Sequence, residues 1–287
     1  MDQKDNFFSK KRTLNFTGNL MFLETPVIMG VINLTPDSFY PGSRALSIKE
    51  ILKRIEKMIS EGVRIIDIGA VSTRPGAEDI SENEELNRLT PSLITIQKEF
   101  PEIILSLDTY RSKVARVAVE NYNVRLINDI SAGNFDELML ETIASLKVPY
   151  IMMHVAGNLQ TMHKKPDYNN IIIEMIQYFA KKIELSRQFG IYDIIIDPGF
   201  GFSKTLENNY HVLAHLDKFR IFELPVLVGL SRKSMTYKLL NITPDDALNA
   251  TTVVNTMALL NGADFLRVHD VKEAFEAIKI VRQLKEP

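Results

Sequence analysis

Cysteine is absent from the 287-residue chain, so neither a disulfide framework nor thiolate chemistry is available to it, which fits a reducing cytoplasm. Charge of one sign is also lacking. The formal net charge is −2 with no long basic run, which leaves no electrostatic footprint for nucleic acid and points to a small-molecule partner. Local basic clusters can still bind a small anion. No apolar run is long enough to span a bilayer, and the opening MDQKDNFFSKKRTLNF lacks the apolar stretch of a signal peptide. The expectation is a cytoplasmic protein with no membrane association. No linker rich in Gly, Ser or Pro divides the chain and no low-complexity tract interrupts it, so residues 1–287 are expected to form one domain.

What is present is a set of short, β-branched apolar runs: VIMGVIN (27–33), VRIIDIG (63–69), IILSLD (103–108), VRLIND (124–129), PYIMMH (149–154), DIIID (193–197), PVLVG (225–229) and DFLRVH (264–269). Each is nearly continuously hydrophobic, as a parallel strand covered on both faces should be. Helical periods lie between them. IKEILKRIEKMISEG sets Ile51, Ile55, Met58 and Ile59 on one face, with Gly62 as a stop. Ser81 and Glu84 have capping-box spacing before a helix that Pro91 is expected to bend or divide. VKEAFEAIKIVRQLKE closes the chain with an amphipathic helix. Eight alternations describe an α/β fold, a (β/α)8 TIM barrel occupying about residues 26–285. An open doubly wound sheet is the competing arrangement. TLNFTGNLMFLE alternates about Gly18-Asn19 and reads as an N-terminal β-hairpin closing the bottom of the barrel.

Polar residues stand where these runs end: Asn33, Asp67, Asp108, Asn128, His154, Asp197, Arg267 and His269. In a (β/α)8 barrel those ends converge on the rim that carries active sites, so they are expected to meet in one cup. Any one of them alone could be a capping residue. The set is hard to explain one cap at a time. Asp67 lies deeper in its run and is expected to be a structural partner for backbone or arginine. Asp108, Asp197 and Asn128 offer acceptors and donors suited to a flat heterocycle with an amino-pyrimidine edge, since a carboxylate can accept two N–H bonds side by side.

The loops NLTPDSFYPGS and VSTRPGAEDIS are rich in Pro, Gly, Ser and Thr and read as closing segments over the rim, with Arg74 a ligand contact. In VGLSRKSMTYKLL, Arg232, Lys233 and Ser234 enter a helix start where free N–H groups favour an anion. Arg267 and His269 strengthen this reading toward a phosphate or carboxylate. The histidines show no HExxH or paired-ligand spacing; His211 and His215 read as surface or packing residues and His163 takes no role.

VIMGVINLTPDSF, DIGAVSTRPGAE, LSLDTYRSKVA, RLINDISAG, MMHVAGNLQTM, IIIDPGFGFSKT, PVLVGLSRKSM and LRVHDVKEA resemble, in order, the strand-end motifs of the dihydropteroate synthase family. The resemblance runs from the first barrel strand to the last helix. It implies condensation of 6-hydroxymethyl-7,8-dihydropterin pyrophosphate with para-aminobenzoate, giving 7,8-dihydropteroate and pyrophosphate for folate synthesis. It further implies that Asp108, Asn128, Met153, Asp197, Phe202 and Lys233 form the pterin pocket, and that Asn33, Arg267 and His269 hold pyrophosphate. Mg2+ is implied as cofactor, bound to Asn33 and the pyrophosphate oxygens. Phe39, Thr73, Arg74, Pro75 and Ser234 are the implied aminobenzoate residues. Asp108, Asp197, Lys233, Arg267 and His269 carry the implied catalysis, a dissociative substitution.

Three departures from the family pattern stand out: SFYPGS where SFSDGG is common, placing Pro41 where the family has a closing aspartate, with Asp37 as a substitute; GAVS before TRPG; and FSKT with Ser203 in place of FGKT. A noncatalytic pterin-binding barrel, or one related to methyltetrahydrofolate methyltransferases, is the alternative, but would have no use for both TRPG and SRKS. A Schiff-base role for Lys233 would require a deprotonated amine, which the neighbouring anion site opposes. The family is generally homodimeric, and Met257, Leu259, Leu260, Phe275 and Ile278 on the last helices are apolar enough for either a dimer face or ordinary packing.

Overall fold

A period-two pattern in eight short strands builds a lumen whose lower end is apolar and whose upper end is polar. The structure, a computed structural model, describes residues 12–34, 47–71, 80–162, 164 and 166–285. The barrel strands are β3 (Val27–Asn33), β4 (Ile65–Gly69), β5 (Ile104–Asp108), β6 (Val124–Asp129), β7 (Tyr150–Met153), β8 (Ile194–Asp197), β9 (Leu227–Val228) and β10 (Phe265–Val268). They pair in parallel in the order β8-β7-β6-β5-β4-β3-β10-β9. A parallel bridge between Ile196 and Val226, with Ile196 N–H donating to Pro225 O at 3.0 Å, joins the two ends. Chain neighbours are therefore spatial neighbours all the way round. An open doubly wound sheet would reverse strand order at a switch point, and none exists here.

Alternation sorts the side chains. Ile28, Ile66, Leu105, Ile127, Met152, Ile196 and Leu266 face outward into the main core under the helices. Met29, Ile65, Leu126, Ile151, Ile195, Leu227 and Phe265 face inward and fill the lower lumen. Before the barrel, β1 (Thr13–Phe16) and β2 (Asn19–Phe22) form the expected hairpin, and its Leu14, Phe16 and Met21 join that same inner cluster. The turn is centred on Thr17-Gly18, both at positive φ, one residue earlier than the Gly18-Asn19 expected; Asn19 already pairs with Phe16. Asn15 Oδ1 accepts the Gly18 N–H at 2.7 Å and supports this left-handed pair. Arg12 pairs with both oxygens of Asp264, and Asn15 N–H donates to Asp193 at 2.9 Å, fixing the hairpin across the barrel floor.

The helices are α1 (Ile48–Ser60), α2 (Glu82–Glu99), α3 (Ser112–Tyr122), α4 (Met139–Leu146), α5 (Ile171–Gln188), α6 (Leu206–Ala214), α7 (Ser234–Leu240), α8 (Leu248–Leu260) and α9 (Val271–Lys285). In α1, Ile51, Ile55 and Met58 are buried as expected, whereas Ile59 turns to the edge of the apolar stripe and is exposed. In α2, Ser81 Oγ accepts the Glu84 N–H at 3.2 Å, but the Glu84 carboxylate takes Arg88 instead of closing the box. Pro91 neither ends nor divides α2, which runs unbroken through it. Pro91 lies on the exposed face, where the carbonyl one turn back can turn to water, while Leu89, Leu93 and Ile96 pack the opposite face. His211 and His215 stack on the outer surface of the barrel with ring centroids 4.4 Å apart.

Candidate active site

The upper lumen begins one inward position above the apolar floor. Asp67, fully buried in β4, accepts the Ser106 hydroxyl at 2.6 Å, the Asn128 amide at 3.0 Å and Arg267 Nε at 2.6 Å. Arg267 spans a second carboxylate as well, donating from Nη2 to Asp108 at 2.7 Å. Asp67 is thus the structural partner of an arginine, as its depth implied, and it also ties Asn128 into the same network. At the next level Asn33, Gly69, Asp108 and Asn128 are successive register partners across β3, β4, β5 and β6. Gly69 keeps this level open, because a Cβ there would lie 3.4 Å from Asp108 Cβ.

Burial acts on every charge in this cup. It pushes the Asp108 carboxyl up to about 7, with Arg267 opposing and the carboxylates of Asp67, Glu85 and Asp129 adding to the rise. Burial would by itself lower Arg267, but Asp67 and Asp108 outweigh it and hold the guanidinium firmly charged. Asp197 ends β8; burial raises it, while Lys233 and the Gly199 N–H, which donates to its Oδ1 at 2.7 Å, hold it down. Lys233, immediately before α7, is lowered by burial to about 8 against the pull of Asp197. Its ammonium donates to Phe200 O and lies 5.3 Å from the centroid of the Phe202 ring. Met153 and Phe202 belong to one apolar cluster with Tyr110, Ile130, Val155 and Met162, and the Phe202 ring lies beside the Lys233 ammonium.

His269 follows β10, and the Ser231 hydroxyl lies 3.0 Å from its Nδ1 while accepting its backbone N–H at 3.2 Å. A hydroxyl already accepting one bond has its proton for Nδ1, which assigns the hydrogen of the neutral ring to Nε2. Burial, with the positive charges of Arg54 and Arg267, pushes His269 down to about 3, so the ring is a neutral donor. Arg232 leaves the cup: at φ 51 its side chain turns away from the path of Lys233 and makes a two-pronged pair with Asp270 at 2.9 and 3.0 Å. Its part in an anion site is corrected to one of bracing the loops after β9 and β10. His154 also turns away, into a pocket of Tyr178, Tyr168 and Phe179 behind β7, because alternation points the residue after Met153 outward.

The rim therefore brings together Asp108, Asn128, Asp197, Lys233, Arg267 and His269, with Asn33, Met153 and Phe202 on the same rim and Ser234 opening α7 beside it. Phe39, Thr73, Arg74 and Pro75, with Asp37 and Pro41, lie outside the described residues, as does His163. Sequence reasoning passed over Ser106, Ser231 and Lys204. The first was legible in principle, since aligning IIDIG with ILSLD places Ser106 beside Asp67.

Among the described residues there is no group of three or more His, Asp or Glu side chains placed to hold a metal ion. Asn33 is a neutral oxygen donor, half-buried at the rim. That suits Mg2+, which keeps waters and arrives with phosphate oxygens, better than a metal caged wholly by protein.

The polar strand ends thus form one cup of mixed charge over the apolar floor of a (β/α)8 barrel. The sequence profile of the family described as pterin binding enzyme matches residues 29–269, and the chain belongs to that family. Within it the similarity is to dihydropteroate synthases. That of Escherichia coli K12 is 40% identical over 266 residues, covering 92% of this chain and 93% of its own length. The Yersinia pestis dihydropteroate synthase, solved as a sulfonamide drug complex, superposes with a TM-score of 0.91 at 37% identity, covering 96% of this chain and 100% of that one. The Xanthomonas albilineans dihydropteroate synthase, solved with 4-aminobenzoic acid, gives 0.87 at 32% identity, covering 96% and 98%.

Proposed function

We propose that the protein is a dihydropteroate synthase: the amine of para-aminobenzoate displaces pyrophosphate from 6-hydroxymethyl-7,8-dihydropterin pyrophosphate, forming 7,8-dihydropteroate in folate biosynthesis. The observation that carries this reading is the meeting of two carboxylates, the buried Asp197 and the partly buried Asp108, with Asn128 and Lys233 at the mouth of one lumen. Carboxylates accept the N–H groups of the aminopyrimidine edge, Asn128 and Lys233 donate to its ring acceptors, and Met153 and Phe202 cover its faces. Arg267 and the Nε2–H of His269 meet the pyrophosphate, with Asn33 at the end of the neighbouring strand β3. Ser234, at the start of α7, receives the aminobenzoate carboxylate, with Phe39, Thr73, Arg74 and Pro75 completing that pocket.

No protein nucleophile is required, because an arylamine is already competent at neutral pH. Asp108 and Asp197 lie where positive charge grows on the pterin as its bond to pyrophosphate lengthens, and Arg267 and His269 where the leaving anion gathers charge. Asn33 would help hold a Mg2+ ion, which would supply further neutralisation of the leaving anion.

The direct test is pyrophosphate release from purified protein given the pterin pyrophosphate and Mg2+, with and without para-aminobenzoate. Aminobenzoate-dependent turnover is the expected result; tight pterin binding without turnover would favour a noncatalytic pterin-binding barrel. Two further outcomes follow from the site. With its carboxyl raised to about 7, Asp108 accepts pterin N–H groups only once deprotonated, so kcat/KM for the pterin substrate is expected to climb with pH through that value. The same group has the opposite sign for stability. The folded chain holds the extra proton, so stability attributable to Asp108 is present below the ordinary carboxylate range and is lost as pH rises toward about 7. Ser234→Ala is expected to raise KM for para-aminobenzoate by about five- to tenfold through loss of one hydrogen bond to a carboxylate, with KM for the pterin substrate unchanged.

The chain is further proposed to act as a homodimer. Val253, Met257 and Leu260 form an exposed apolar row on α8, and Phe275, Ile280 and Leu284 are exposed on α9. Leu259 and Ile278, also expected at that face, are instead buried in the core. No described helix is long and apolar enough to cross a membrane. The cytoplasm is the proposed compartment, supported by the thiol-free composition.

A further inference from the structure

Behind the pterin cup, hidden from any ligand, lies a lysine buried to 4% exposure at the end of the loop that carries Asp197 and Phe202. Lys204 Nζ sits 3.0 Å from Gly199 O, 3.0 Å from Phe202 O, 3.1 Å from His154 Nδ1 and 3.5 Å from His154 O. We propose that Lys204 is a positioning residue for pterin binding, its ammonium acting as an internal cation that shapes the Asp197–Phe202 loop from behind. The proposal rests on the pterin reading of the cup.

Three carbonyl oxygens converging on one nitrogen favour a cation there. The members of this cage are three carbonyl acceptors and His154 Nδ1, which accepts in the Nε2–H tautomer; an ammonium has three N–H groups to give them, while an amine has two and a lone pair. His154 is held neutral by burial and by Lys204 itself, which keep it well below its ordinary range. Burial also draws Lys204 down to about 7, with Asp197 pulling against it. Without the ammonium, the carbonyls of Phe202 and His154 would lose this donor, and among the described residues Gly199 O would keep only the Phe202 N–H at 3.1 Å; a buried acceptor left unpaired costs more than its bond contributes.

The loop cannot hold this shape through regular secondary structure. Gly199, Gly201 and Ser203 all have positive φ, at 69°, 86° and 50°. The loop also lies hard against β7: a Cβ on Gly199 would stand 2.2 Å from His154 O. Ser203 is the one non-glycine of the three, and its hydroxyl offsets the strain by reaching Met162 O at 2.8 Å and accepting the Ala156 N–H at 3.2 Å. Asn209 takes the Gly201 N–H at 2.8 Å. Lys233 then grips Phe200 O from the ligand side. The loop is thus held between two lysines, one facing the ligand and one facing away. Removal of the rear one frees Asp197 and Phe202 together, without touching any group assigned to aminobenzoate.

The test compares Lys204→Met and Lys204→Ala with the unaltered protein, by calorimetric binding of 6-hydroxymethylpterin and steady-state kinetics. Lys204→Met is expected to weaken pterin binding about tenfold or more, with KM for para-aminobenzoate within about twofold of normal. In Lys204→Ala, n-propylammonium is expected to restore pterin binding, and the neutral isostere n-propanol is not. Unchanged pterin binding in Lys204→Met, a parallel shift in both substrates, or equal rescue by n-propanol would each overturn the proposal. Should neither variant fold, His154→Phe removes one acceptor from the cage and is expected to weaken pterin binding by about threefold, again selectively. No change there would also overturn it. If the unaltered protein itself fails to bind 6-hydroxymethylpterin, the pterin reading of the cup falls first and this proposal with it.

Discussion

Arg267→Met is expected to abolish measurable pyrophosphate release and to destabilise the fold strongly, by about 3–5 kcal/mol, because it leaves buried carboxylates without their cation. Arg267 is the only described group bonded to both Asp67 and Asp108, at 2.6 and 2.7 Å. Against a total stability of about 5–15 kcal/mol, that loss decides whether the barrel stays folded. The pH dependence distinguishes this cause from simple loss of packing. Arg267 is what opposes the burial-driven rise of Asp108, so in the variant Asp108 holds its proton more tightly still. The cost is therefore expected to be largest at alkaline pH, where an uncompensated charge must remain buried, and to shrink as acid neutralises it. Urea unfolding at acid and alkaline pH reads this directly; an equal penalty at both would assign the loss to packing.

Asp197→Asn is expected to lower affinity for the pterin by roughly 10²-fold, about 3 kcal/mol, with little change in KM for para-aminobenzoate. The amide oxygen can still accept the Gly199 N–H that the carboxylate takes at 2.7 Å, so the loop keeps its local bond. What changes is the face toward the ligand, where an NH2 group meets ligand N–H donors, and the charge that balances Lys233 and Lys204. Calorimetric titration with 6-hydroxymethylpterin, paired with aminobenzoate kinetics, separates the two pockets. Equal loss of both substrates would count against the assigned division of the rim.

The barrel was legible because each strand run is short and β-branched and all but PVLVG carry a polar residue at or near their end, a combination that helices do not produce. The same alternation that exposed Asp108 and Asp197 as rim residues also predicts the inward Asp67 beneath them, since 67, 69 and 108 fall in register. Errors came where local chemistry competes with pattern. Ile59 sits at the margin of the α1 stripe, so its burial depends on a neighbour that sequence periodicity does not reveal. Pro91 is tolerated because its missing bond faces water. Arg232 looked like an anion ligand beside Lys233, yet a positive φ sends adjacent side chains different ways. Lys204 stands in the FSKT turn, where nothing in the sequence marks it as buried. Its burial is a product of the loop folding back on it, which only the three-dimensional path supplies.

The floor of the barrel sets a schedule for folding. Arg12 pairs with Asp264, 252 positions later, and Val27 pairs with Phe265, so the first and last parts of the chain are joined to one another. Neither contact can form until synthesis has delivered nearly all of the polypeptide. Until then the β3 edge stays unpaired and the hairpin has only part of its apolar seat. Loop closure over such a separation is slow, and open parallel edges are the sites where a nascent barrel is most prone to associate with its neighbours. Weakening the Arg12–Asp264 clasp should therefore be felt first in the yield of protein that completes the circle, before it is felt in the chemistry at the opposite rim.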